Sequence, residues 1–135
     1  MTTRHLLMGF NDNAFRALMV RTTQPMTAPV CRVDNAQAEA HFLRGIQVGS
    51  GKGLYSHFIA DANFGNKNSY LDIQPALRIY EALQPRIQEC TAALLILARN
   101  ATMEDALRSG KIPVMLASDF SAEHIRRFIE SYTPK

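Results

Sequence analysis

Two cysteines are all that this 135-residue chain contains, Cys31 and Cys90, widely separated and each without a second cysteine nearby. That spacing excludes a structural zinc site, whose ligands sit at short intervals, and it builds no disulfide framework. Both residues read as reduced, mostly buried thiols, with no metal and no cofactor expected. Long apolar runs are missing as well. The longest, 91–98 (TAALLILA), falls far short of the ~18–20 residues that cross a bilayer. The opening MTTRHLLMGFNDN has neither an extended apolar core nor a small-residue cleavage site. No signal peptide is therefore expected, the predicted location is cytoplasmic, and no membrane partner is expected.

Strong charge is also lacking, since the net formal charge is only +3. Its distribution is uneven. Residues 1–67 carry seven Lys/Arg against four Asp/Glu, and residues 68–135 carry eight against eight, so the whole surplus lies in the first half. Such asymmetry points to an anionic partner on one face. With 47% apolar and 20% charged residues the chain has the make-up of one soluble globular domain spanning 1–135. The asparagine-rich stretch 61–69 is the one candidate seam.

The stretch from Arg44 to Asn68 combines glycines with cationic side chains and contains a single acid, Asp61. Two short extended runs, Ile46–Val48 and Leu54–Ala60, flank Gly49-Ser50-Gly51-Lys52-Gly53, which reads as a β-hairpin with a basic tip. Backbone amides and an ammonium at such a tip can approach an anion closely. On this ribbon and the loop after it, Arg44, Gln47, Lys52, Tyr55, His57 and Lys67 are the candidate nucleic-acid contacts, the cations toward phosphates and Gln47, Tyr55 or His57 near bases. The plain alternative is an ordinary exposed hairpin. Arg44 and His41 would then only complement the carbonyl end of a helix over 35–44 that Asp34 caps and Gly45 stops.

Elsewhere, Arg4–Phe10 reads as a first strand, a helix follows to about Thr22, and Val30–Val33 is a second strand candidate. From Tyr70 onward the pattern reads as helical. Pro75 opens a helix to Leu83 and Pro85 opens another over Arg86–Arg99, the most apolar of all. A Thr102/Asp105 capping box starts a helix to Ser109, Ile112–Ala117 adds an apolar turn or two, and Ser121 caps a last helix over Ala122–Tyr132 with Ile125, Phe128 and Ile129 inward. The expected fold class is thus α+β: a small N-terminal mixed sheet with a hairpin, followed by a C-terminal bundle of about four helices. The apolar 86–99 helix and its neighbours would serve self-association, with a homodimer as the default.

Motifs that would fix a chemistry fail on inspection. A phosphate-binding loop needs a glycine where Ile46 stands and Ser or Thr where Gly53 stands. A helix-turn-helix at 102–118 would present Pro-Val-Met-Leu-Ala-Ser, which offers base edges almost no polar groups. Spacing alone gives His57, Asp61 and Tyr55 no nucleophile–base arrangement, so no enzyme is expected. The residues point to a non-catalytic protein that binds double-stranded DNA through its hairpin, a small bacterial transcriptional regulator. The alternative is a protein-interaction adaptor or inhibitor acting through its helical C-terminal half. A small hydrolase or transferase around Tyr55, His57 and Asp61 ranks third.

Overall fold

In the computed structural model, residues 4–10, 17, 20–21, 31–36, 39–47, 55–63 and 73–131 are described. The most apolar run of the sequence is not a helix there. Ala93–Ala98 (β4) is a strand near the middle of a five-stranded sheet made with Arg4–Gly9 (β1), Cys31–Ala36 (β2), His57–Asp61 (β3) and Val114–Leu116 (β5). The strand order is β2-β1-β3-β4-β5 and every neighbouring pair is parallel. Parallel strands need crossover connections. Helices Glu39–Gln47 (α1), Gln74–Gln88 (α2) and Ala101–Ser109 (α3) supply those after β2, β3 and β4, and Ala122–Ser131 (α4) follows β5.

Helices on both sides bury both faces of the sheet, which is why the central strand β4 (ALLILA) is a continuous apolar run rather than an alternating one. On one face Leu7, Phe58, Ala60, Leu94, Ile96 and Ala98 pack with Phe42 and Ile46 of α1, Ile79 and Leu83 of α2, and Met103 and Leu107 of α3. On the other, Leu6, Met8, Ile59 and Leu97 pack with Ile125 and Ile129 of α4. Neighbours in the sequence therefore serve opposite cores. The fold is a doubly wound α/β sheet, and the expected α+β hairpin-plus-bundle is corrected accordingly.

Several local expectations change with it. Ile46 and Gln47 are the last residues of α1, and His57–Asp61 is a central parallel strand, so the two runs cannot pair as a hairpin. Gly45 does not stop α1. It lies inside the helix, where a Cβ would come within 2.6 Å of Leu7 Cδ2 on β1. Asp34 is a residue of β2 rather than a cap. Pro85 sits within α2, which runs on to Gln88, and the segment 86–99 bridges helix end and strand. The homodimer expected from the apolar 86–99 helix and its neighbours loses its basis, since Leu94, Ile96 and Leu97 belong to a strand inside the sheet. Val114–Leu116 is the edge strand β5, which removes the helix-turn-helix.

Other signals hold. Pro75 stands in the first turn of α2, where the missing N–H matters least. α3 ends at Ser109, although its cap is Asn100, whose side chain accepts from the Met103 N–H at 2.9 Å, and not Thr102. Ser121 directly precedes α4 and its carbonyl accepts the Ile125 N–H at 3.2 Å, while its Oγ meets the His124 ring at 2.8 Å rather than a backbone N–H. Arg78 of α2 pairs with Glu39 of α1 across their exposed sides.

Candidate functional site

In a doubly wound sheet the crevice lies outside the carboxyl ends of the strands, where the order reverses on either side of β1 and β3. Asp61 is the last residue of β3 and is completely buried. Arg99 follows the end of β4 directly, and the register Asp61↔Leu97 brings the two side by side. The guanidinium donates from Nη2 to Asp61 Oδ2 at 2.6 Å and from Nε to Oδ1 at 3.3 Å. Oδ1 also accepts the Asn63 N–H at 3.1 Å, which closes a turn over the strand end. The Ala62 N–H donates to the Leu97 carbonyl at 2.9 Å and fixes the same turn to β4. The carboxylate thus has a two-pronged cationic partner and a backbone donor, the arrangement that a buried anion requires.

Among the described residues, the neighbouring strand ends are apolar. Phe10, one step beyond the pair Gly9↔Ala60, is buried in the α4-side core. β4 ends in Ala98 and β5 in Leu116. Among the described residues no group of three or more His, Cys, Asp or Glu is placed to hold a metal ion. A hard cation such as magnesium takes several carboxylate oxygens and waters in an octahedron, whereas among the described residues Asp61 belongs to no such cluster and each of its oxygens already accepts from Arg99. The described donor set does not fit such an ion.

The residues singled out from sequence do not converge on this crevice. Arg44 and Gln47 are exposed on the last turn of α1. Tyr55 is buried in the helix-covered core, edge-on to Phe58 with ring centroids 6.3 Å apart, and its carbonyl accepts from Arg86 Nη2 at 2.7 Å. His57 is fully buried at the opposite end of β3, its Nδ1 2.8 Å from Ser56 Oγ and its ring edge-on to Phe128. Lys52 and Lys67 lie outside the described residues. A DNA-reading ribbon is therefore corrected on two counts: the strand carrying His57 is interior, and Arg44 and Gln47 belong to a helix. His57 and Asp61 are the two ends of one strand, about 13 Å apart at ~3.3 Å per residue, so they form no catalytic pair.

In the sequence Asp61 groups with Tyr55 and His57, and Arg99 reads as the tail of a helix. The available signal was that two apolar runs, HFIAD and ALLILAR, end in opposite charges.

No family model matches the sequence, and no curated protein matches it. Solved structures do resemble the fold. The bacteriophytochrome response regulator AtBRR is 13% identical with a TM-score of 0.72, over 98% of this chain and 94% of its own. The receiver domain of a sensor histidine kinase from Pseudomonas aeruginosa PAO1, described with a magnesium ion coordinated in its active site cleft, is 13% identical with a TM-score of 0.67, over 97% and 98%. Vibrio cholerae chemotaxis protein CheY4 is 15% identical with a TM-score of 0.65, over 98% of this chain and all of its own. At such identities the likeness is one of architecture alone: this chain shares the doubly wound fold of these receiver domains.

Proposed function

We propose that this chain is a non-catalytic signalling adaptor, a protein-interaction module built on the receiver fold that works without magnesium-dependent phosphoryl transfer. The observation that carries the reading is the Asp61–Arg99 pair. A carboxylate acting as a phosphoryl acceptor has to present a free oxygen to the donor, with a divalent cation neutralising the charge that gathers there. In this chain a guanidinium already supplies that neutralisation and engages both oxygens, while among the described residues Phe10, Ala98 and Leu116 bring no further charge to the strand ends.

Its partner on this reading is another protein of a signalling pathway, in keeping with the receiver-like architecture and with a parallel interior strand over His57–Asp61. The same reading places the chain in the cytoplasm, where the exposed thiol of Cys90 stays reduced. Among the described residues no helix is long and apolar enough to cross a membrane.

Incubation of the purified chain with acetyl phosphate and magnesium, followed by intact-mass measurement, tests the proposal. The expected result is no phosphoryl adduct and no change in melting temperature with magnesium and beryllofluoride. An acyl phosphate on Asp61 would overturn it.

A further inference from the structure

A cavity of about 410 Å³ opens at the opposite end of the sheet from Asp61, under the first half of β4. Its walls include Tyr80 and Ile87 of α2, Leu95 of β4, Pro113 ahead of β5 and Phe128 of α4, and Lys111 stands among them as the single charged side chain. The volume falls in the range of small-molecule sites, and the make-up matches them too: apolar walls with a few polar groups.

The cavity exists because the β4–β5 ladder stops early. The pairing Ile96↔Val114 is the first rung, and the Ile96 N–H donates to the Pro113 carbonyl at 3.0 Å. By the parallel pattern the next rung down would run from the N–H of residue 113 to the carbonyl of Leu94. Proline has no N–H, so that rung cannot form. The Leu94 carbonyl points toward the β5 side with no ladder donor opposite it, and Leu94 lines the cavity.

Lys111 is held at the rim by its backbone. Its φ of 61° is left-handed, fixed by its own N–H donating to the Arg108 carbonyl at 3.0 Å and by the Ile112 N–H donating to the Leu107 carbonyl at 3.1 Å. Among the described residues no ion pair engages its ammonium. Tyr80 is steadied in the wall by Gln84, whose Nε2 donates to the phenol oxygen at 3.2 Å.

We propose that this cavity binds a small carboxylic acid with an apolar ring and an N–H donor, the carboxylate on Lys111, the ring among Ile87, Leu95 and Phe128, and the N–H on the Leu94 carbonyl. An unengaged cation selects the anion, and a strand carbonyl deprived of its donor by Pro113 selects the N–H. The site is independent of the Asp61–Arg99 pair and of the adaptor reading.

Indoleacetate, titrated into the full chain and followed by amide chemical shifts and calorimetry, is the test. The expected result is saturable one-site binding, with shifts centred on residues 92–95 and 111–113. Indoleacetamide, which keeps ring and N–H without the charge, binds roughly tenfold more weakly, the scale of one charge-assisted hydrogen bond. Naphthylacetate, which keeps ring and charge without the N–H, is also weaker. Lys111→Met binds the acid and the amide equally, whereas Lys111→Arg retains the preference. Absence of saturable binding overturns the proposal, as does a Lys111→Met chain that still prefers the acid, a naphthyl acid that binds as tightly as the indole acid, or shifts centred elsewhere.

Discussion

Arg99 reaches across from the end of β4 to hold both oxygens of Asp61 at the end of β3, and the acid has no exposure to solvent while the arginine side chain keeps 22% of its own. The pair ties together two adjacent central strands at the rim of the crevice. Removing one partner leaves a buried charge uncompensated, whereas removing both does not.

Arg99→Ala is therefore expected to cost about 3 kcal/mol, at the low end of the range for a broken buried pair because Arg99 is partly solvated. Asp61→Asn alone, with the Asn63 N–H still satisfied, should cost less, and Asp61→Asn combined with Arg99→Ala should cost clearly less than the sum of the two single losses. Urea unfolding of the four proteins measures this as a double-mutant cycle. Strict additivity would show that the pair does not act as a unit.

Gly45 tests the contact between α1 and β1. Alanine is the better helix former by about 1 kcal/mol, yet its methyl would press on Leu7 Cδ2 in a closed core. The clash should prevail narrowly for Gly45→Ala, with a net loss of about 1 kcal/mol, and clearly for Gly45→Val, whose branched side chain has no room at all. Thermal unfolding ranks the three, and an alanine variant more stable than the parent would refute the packing account.

Asn100→Ala removes the side-chain acceptor for the Met103 N–H at the start of α3. The expected loss is about 1 kcal/mol, a fall of roughly 3–5 °C in melting temperature for a chain of this size. Thr102→Ala, at the position that the sequence pattern favoured as cap, should lower it much less.

Cys90 occupies the left-handed position after α2 with a φ of 60°, where glycine is the usual residue. Its N–H donates to the Ile87 carbonyl at 3.1 Å and the following Thr91 N–H to the Arg86 carbonyl at 2.9 Å, so the turn persists whatever side chain is present. Cys90→Gly should raise stability by up to about 1 kcal/mol, and Cys90→Val should lower it.

Elements set by local chemistry were legible in the sequence: the strand from Arg4, Pro75 in the first turn of α2, the end of α3 at Ser109, and the inward Ile125 and Ile129 of α4. What failed was the reading of strands buried on both faces. Leu94 to Leu97 alternate between two cores, and because both cores are apolar the alternation leaves no mark in the pattern. A short apolar run fits a helix equally well, and mistaking β4 for one turned a wound sheet into a bundle. The crevice was illegible for a related reason. Asp61 and Arg99 meet only because β3 and β4 are neighbours, a fact of strand order that no local spacing carries. Glycine and lysine near a predicted turn drew attention to 44–57 instead, where the structure buries Tyr55 and His57 as core.

Strand order also governs how the chain must be completed as it leaves the ribosome. β1 gains its partner Cys31–Ala36 early, but its other edge stays bare until His57–Asp61 has emerged, because β3 is its second neighbour. Ile125 and Ile129, which close over Leu6, Met8, Ile59 and Leu97, arrive after all four of them. At ~5–20 residues per second of synthesis, the interval between Met8 and Ile129 lasts several seconds or more. Through that time the nascent sheet carries a greasy flank without its final cover, and a holding chaperone is most needed there.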